Sequence, residues 1–218
     1  MYENITGIIL SGGKSTRMGT NKSFLKIGDK TIIELTIDLM KSLFPRVLLV
    51  TNEPKLYKNF NVETITDIYT YKGPLAGIHS GLYHSETEGN FIISCDMPLI
   101  TRDILEFIID YQSDKLVKIT KADGFIQQLC GYYSKQCLDY AEDILTNKYQ
   151  TETRDYEQKK RKCNVMRLVD TINACIIDIE KEYPEYKPGS FMNMNKPHEY
   201  EQILERLQTD ISNKIPNS

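Results

Sequence analysis

Thr6-Gly7-Ile8-Ile9-Leu10 runs without a break into Ser11-Gly12-Gly13-Lys14-Ser15-Thr16-Arg17-Met18-Gly19-Thr20-Asn21-Lys22. The first five residues read as a β-strand, and Ser11 to Lys22 as a glycine-rich loop. Glycine lets backbone N–H groups come close to an anion, and Lys14, Arg17 and Lys22 add positive charge along the same loop. A strand feeding such a loop is built to hold a polyphosphate.

Further along, short runs of Ile, Val and Leu alternate with stretches of helical periodicity, the pattern of βα units building a mostly parallel sheet. Strands are expected at 46–51, 62–66 and 91–95, ending at Asn52, Asp67 and Asp96. Helices are expected at Thr31–Leu43, Leu75–Ser85 and Thr101–Tyr111, with Thr101 as an N-cap. In open α/β sheets ligands bind outside the carboxyl ends of the strands, so these polar strand ends converge on one crevice.

Later, Leu116–Thr120 and Phe125–Tyr133 flank Lys121-Ala122-Asp123-Gly124, whose Asp-Gly suits the turn of an antiparallel pair. Gln136–Lys148 is amphipathic. Val165, Leu168, Val169 and Ile172 share a helical face, Cys175–Ile179 reads as a strand, and a polar helix starts at His198.

The 218 residues suit a single α/β domain. Hydrophobic residues at 40% and charged residues at 26% exclude a disordered or fibrous chain. A net charge of −3 argues against a nucleic-acid-binding protein but leaves room for a local anion pocket. The five cysteines, at 95, 130, 137, 163 and 175, form no CxxC pair and are expected as reduced thiols. The N-terminus lacks a signal-peptide pattern and no apolar run nears the roughly 18 residues of a membrane span, so a cytoplasmic protein with no membrane partner is expected.

Two phosphate motifs are excluded. A P-loop ending at Gly13-Lys14-Ser15 needs a glycine where Ile8 stands, and a dinucleotide fingerprint from Gly12 needs glycines where Lys14 and Arg17 stand. Leu10-Ser11-Gly12-Gly13, Arg17-Met18-Gly19 and Lys22 instead resemble the L-[AS]-G-G-x(3)-R-[MF]-G-x(2)-K signature of nucleotidyltransferases of the molybdenum cofactor guanylyltransferase (MobA) type. Gly73-Pro74-Leu75-Ala76-Gly77, Cys95-Asp96-Met97-Pro98 and Phe191-Met192-Asn193-Met194-Asn195-Lys196-Pro197 resemble three further segments of that family, in the same order.

The resemblance implies a Rossmann-like three-layer α/β/α fold of the nucleotidyltransferase type and transfer of GMP from GTP to the terminal phosphate of molybdopterin. It implies that Leu10, Ser11, Gly12 and Gly13 line the GTP site and that Lys22 contacts the phosphates with Arg17 as a second cation. Asn52 and Asp67 would recognise the nucleoside, Asp96 would bind nucleotide and Mg²⁺, and Asn193 and Asn195 would lie on the acceptor side. Contact with molybdoenzymes or cofactor-synthesis proteins would follow from the product. The competing expectations are a CMP-transferring relative, a relative acting on another phosphorylated acceptor, and a nucleotide-binding module without turnover. The residues agree with nucleotidyl transfer on their own chemistry, since it needs cations and positioning more than covalent groups. A lone carboxylate with substrate phosphates suits Mg²⁺.

Each residue also has a plainer reading. Asp96 could cap a helix, Asn52 and Asp67 could be turn residues, and Lys159-Lys160-Arg161-Lys162 could be a solvated face before it is a pterin contact. His79 and His84 lack the spacing of a metal pair, and His198 stands alone. One departure falls on the acceptor side: Gln127-Gln128-Leu129 stands where many relatives carry Q-P-L.

Overall fold

A computed structural model describes residues 1–12, 21–70, 72–146, 165–194 and 196–214, with side chains up to 208. Its strands are β1 Ile5–Leu10, β2 Lys26–Ile27, β3 Lys30–Thr31, β4 Arg46–Val50, β5 Glu63–Ile65, β6 Gly89–Ser94, β7 Val117–Ala122, β8 Phe125–Ser134 and β9 Cys175–Asp178. The described α-helices are α1 Ile32–Leu43, α2 Pro74–His84, α3 Arg102–Asp110, α4 Cys137–Thr146, α5 Val165–Thr171, α6 Ile179–Glu182 and α7 Pro197–Lys214. The end of the helix expected over Gln136–Lys148 lies outside the described residues.

One sheet runs in the order β5-β4-β1-β6-β8-β7-β9, and β2 pairs with β3 in a small ribbon. Strands β5, β4, β1 and β6 are mutually parallel, β8 is antiparallel to both β6 and β7, and β9 returns parallel to β7. The hairpin expected around Asp123-Gly124 forms, with both residues at positive φ.

Alternation along the parallel strands makes the layers, because successive side chains point to opposite faces. Ile9, Leu49 and Ile93 face one way, onto Ile37 and Met40 of α1 and Leu105 and Ile108 of α3. Ile8, Leu48 and Ile92 face the other way, onto Leu75 and Ile78 of α2, Ile144 of α4 and Leu168 of α5. Each large aliphatic side chain fully buried in this way contributes about 1.5–3 kcal/mol. A third cluster, Ile32, Met194 and Ile203, docks α7.

Local chemistry sets the ends of the elements. Helix α1 opens on a capping box: Thr31 Oγ1 accepts from Glu34 N, and Glu34 Oε2 accepts from Thr31 N at 2.7 Å. Thr101 stands at the N-cap of α3 as expected, but its hydroxyl makes no capping hydrogen bond. The last turn of α3 carries no basic residue. That role passes to Lys118 of β7, whose buried ammonium donates to the carbonyls of Ile109 and Tyr111.

Gly81 of α2 packs directly against Ile8 of β1. A Cβ there would stand 2.6 Å from Ile8 Cγ2, so any larger residue would push the helix off the strand. Of the five cysteines, the four described are free thiols, and Cys163 lies outside the described residues.

Candidate active site

The carboxyl ends of four adjacent parallel strands form one row, since Ile65 pairs with Val50, Val50 with Leu10 and Leu10 with Ser94. The residues just beyond them therefore stand in the spatial order Asp67, Asn52, Ser11-Gly12, Asp96. Helix α1 covers one face after β1 and α2 covers the other before β6. This is the topological switch point, where an open α/β sheet leaves a crevice at its carboxyl edge.

At one end of the row, the ladder of β4 and β5 continues through Thr51 N to Ile65 O at 2.9 Å and brings Asn52 beside Asp67. Asn52 Nδ2 donates to Asp67 Oδ2 at 2.7 Å, and Asp67 N donates to Asn52 Oδ1 at 3.4 Å. Burial pushes the Asp67 carboxyl up from its ordinary value, and the Asn52 hydrogen bond opposes that shift. Helix α2 forms the floor. A Cβ on Gly77 would meet Leu10 at 3.2 Å and Asp67 Oδ1 at 3.7 Å, so glycine leaves room above the helix. One turn later Ser80 Oγ accepts from Ile68 N at 2.8 Å and pins the segment that carries Asp67.

In the middle, Leu10 O accepts from Cys95 N at 3.1 Å, and Ser11 N donates to Val50 O at 2.9 Å. The Ser11 N–H is thus held inside the sheet, while Gly12 is exposed with open space beside its Cα. Gly13, Lys14 and Arg17 lie outside the described residues. The chain re-enters at Asn21, whose Oδ1 accepts from Ser23 N at 3.1 Å and caps the 3₁₀ turn Lys22–Phe24.

At the other end stands Asp96, two residues past β6. It does not cap α3, whose N-cap is Thr101. Ser94 Oγ donates to Asp96 Oδ1 at 2.6 Å. Burial raises the Asp96 carboxyl, while Ser94, the backbone and the nearby Lys22 charge pull it down. Lys22 opens the 3₁₀ turn that follows the loop, and its charge is among those that lower the Asp96 carboxyl. The described residues contain no group of three or more His, Cys, Asp or Glu placed for a metal. A cation here would be held by one carboxylate together with substrate oxygens. That fits a hard ion such as Mg²⁺.

The late Phe191–Met194 segment reaches the same place. Met194 N donates to Asp96 O at 3.0 Å, and Phe191 and Met194 are sunk in the core on either side of the half-buried Asn193. Asn195 lies outside the described residues, as does the basic run Lys159–Lys162. Gln127-Gln128-Leu129 stands outside both strand ladders, because pairing with β6 ends at Ile93↔Cys130 and that with β7 shifts between Ile119 and Lys121. Irregularity of this kind is common beside active sites.

Several residues of the site carry no motif. Ser11 Oγ meets Tyr57 OH at 2.7 Å, Ser23 Oγ at 3.1 Å and Cys95 Sγ at 3.3 Å in a buried cluster. His79 of α2 is buried against Tyr69, whose hydroxyl donates to Glu142 of α4 at 2.9 Å. No metal pair with His84 forms: His84 Nδ1 lies 2.9 Å from Ser80 O, inside its own helix.

A glycine-rich loop at the switch point, the bonded pair Asn52 and Asp67 on one side of it and Asp96 on the other agree with an α/β nucleotidyltransferase. The family model of the MobA-like NTP transferase domain matches residues 7–161. The chain belongs to that family. A probable molybdenum cofactor guanylyltransferase of Clostridium perfringens is 31% identical over 207 residues, covering 92% of this chain and 96% of its own. Another so named, of Peptoclostridium acidaminophilum, is 32% identical, covering 95% and 92%. The crystal structure of molybdopterin-guanine dinucleotide biosynthesis protein A from Archaeoglobus fulgidus superposes with a TM-score of 0.76 at 21% identity, covering 94% of this chain and 99% of that one, which bears out the three-layer fold. No described helix is long and apolar enough to cross a membrane.

Proposed function

We propose that this chain, acting as one nucleotidyltransferase unit, transfers GMP from GTP to the terminal phosphate of molybdopterin, giving the guanine dinucleotide form of the cofactor and pyrophosphate. The observation that carries the reading is the order of groups along the strand ends: Asn52 with Asp67, then Ser11-Gly12 at the start of the loop, then Asp96. A nucleoside triphosphate laid along that row has its base at the paired side chains and its phosphates between loop and carboxylate.

Asp67 supports guanine over cytosine on chemical grounds. A carboxylate only accepts hydrogen bonds, and guanine offers donors at N1 and N2, whereas cytosine has a single donor group at N4. Asn52 holds the carboxylate in orientation.

The reaction needs little covalent help. An oxygen of the acceptor phosphate forms a bond to the α-phosphorus of GTP, the bond from that phosphorus to the bridging oxygen breaks, and pyrophosphate leaves with its electrons. The acceptor is already ionised, so no strong general base is required, and none stands among the described residues of the row. Lys22 neutralises charge on the phosphates, the loop backbone orients them, and Asp96 would hold Mg²⁺. When bound, that ion supplies further neutralisation of the phosphate oxygens. Asn193, next in the chain to Met194, whose N–H donates to Asp96 O, would serve the acceptor side.

The test is incubation with Mg²⁺, molybdopterin and either GTP or CTP, with pyrophosphate and dinucleotide product as readouts. Product with GTP is expected. Product with CTP alone would replace guanylyl by cytidylyl transfer, and product with neither nucleotide would sink the reading.

A further inference from the structure

The loop between residues 12 and 21 has two anchored ends, and one side chain touches both. Tyr57, from a segment that comes after Asn52 and Pro54, is 1% exposed. Its hydroxyl lies 2.7 Å from Ser11 Oγ, at the start of the loop, and accepts from Asn21 Nδ2 at 3.4 Å, at its end. Ser11 Oγ in turn meets Ser23 Oγ, just past Lys22, and Cys95 Sγ, the residue before Asp96.

A buried hydroxyl needs a partner, and one partner would satisfy it. This one instead joins two points of the chain that flank the phosphate loop, through groups that themselves set functional atoms. Asn21 is held between Tyr57 and Ser23 N, so its position fixes the 3₁₀ turn that starts with Lys22. Ser11 fixes the point from which Gly12 leaves the sheet. The Tyr57 ring is held separately, by Phe24 and Phe60 at centroid distances of 5.3 and 6.0 Å, so the hydroxyl can be removed without emptying the packing.

We propose that Tyr57 is a positioning residue for nucleotidyl transfer: its hydroxyl clamps both ends of the phosphate loop and thereby sets Lys22 and the Ser11-Gly12 backbone for the triphosphate. The inference rests on the nucleotide reading of the site. It assigns Tyr57 no contact with substrate; its effect passes through Ser11 and Asn21.

The experiment compares wild type, Tyr57→Phe, Asn21→Ser and Phe60→Leu by GTP affinity, kcat/KM for GTP, KM for the acceptor and melting temperature. Serine at 21 keeps an acceptor for Ser23 N but is too short to reach Tyr57, which gives a second route to the same broken contact. Tyr57→Phe loses both hydrogen bonds of the hydroxyl and Asn21→Ser one of them, which is expected to lower kcat/KM for GTP about tenfold and about threefold respectively, with acceptor KM unchanged. Phe60→Leu, which loosens the packing against the Tyr57 ring but keeps its hydroxyl, is expected to lower the melting temperature while reducing kcat/KM for GTP less than Tyr57→Phe does. Tyr57→Phe and Asn21→Ser variants that melt lower yet use GTP like wild type would overturn the proposal and leave the functional reading standing. Wild type that fails to bind GTP would sink that reading, and the inference with it.

Discussion

Asn52 and Asp67 are bound to each other twice, Nδ2 to Oδ2 at 2.7 Å and Asp67 N to Asn52 Oδ1 at 3.4 Å, although fifteen positions separate them in the chain. The arrangement orients a carboxylate in a half-buried place where its charge is disfavoured. Orientation for a ligand is set against stability of the free protein.

Asp67→Asn tests that trade. The Asp67 carboxyl is raised above its ordinary value of 3.8, chiefly by burial. A group that holds its proton more tightly when folded stabilises at low pH and loses that contribution as pH rises through the folded value, so at neutral pH ionised Asp67 costs stability. Asparagine keeps an oxygen to accept from Asn52 and removes the charge. The expected result is a higher melting temperature at pH 7 with GTP affinity reduced at least about tenfold, because a charged acceptor is lost. Calorimetry and a GTP titration on the same variant check both halves.

For Asp96 the expected outcome is loss of turnover with the fold kept. Asp96→Asn should reduce transfer at least about a hundredfold, since phosphoryl chemistry depends on the cation the carboxylate holds. Its melting temperature at pH 7 should equal or exceed that of wild type, because burial raises this carboxyl as well. A chelator added to wild type should abolish activity, and Mg²⁺ should restore it. Wild-type turnover in the variant would remove Asp96 from the mechanism.

Lys22→Ala removes the described cation whose charge reaches Asp96. Triphosphate affinity and kcat should both fall, together by about 10²-fold or more in kcat/KM, and binding of guanosine without phosphates should be unchanged. A titration with guanosine, GMP and GTP in series locates the loss on the phosphates.

His79 gives the chain a predictable acid sensitivity. Burial lowers its imidazole below the ordinary 6.5, and the Glu142 carboxylate 3.9 Å away only partly opposes this. The unfolded chain therefore takes up this proton first as pH falls. The contribution is complete above about pH 6.5 and is lost as pH drops from there through the lowered folded value. His79→Phe, which keeps an aromatic ring against Tyr69, should flatten the fall of melting temperature as pH drops below about 6.5. An unchanged slope would show that other groups set it.

Much of the architecture was readable along the chain, because runs such as Arg46–Val50 and Phe91–Ser94 are buried on both faces and hence nearly all aliphatic. The Asp-Gly turn announced the β7–β8 hairpin. Thr101 misled in one respect: its position as N-cap is right, but its side chain makes no capping bond, and the far end of the same helix is satisfied by Lys118 from a strand. Leu10, Ser11, Gly12, Lys22, Asn52, Asp67 and Asp96 were named from their places at strand ends and from family motifs. Tyr57, Ser80 and His79 were not, since nothing local distinguishes a tyrosine, serine or histidine that packs from one that organises a site.

What the sequence determined by itself was the main strands and helices and the chemistry of the loop from Leu10 to Lys22, because hydrophobic period, glycine and charge act over a few neighbouring residues; the β2–β3 ribbon and the short helix Ile179–Glu182 went unread. Only the tertiary structure decided how that loop is held. Ser11 and Tyr57 are 46 positions apart and Ser11 and Cys95 are 84 apart. They meet because parallel strands bring distant segments side by side at one sheet edge, where a buried hydroxyl must find its partner across space and not along the chain.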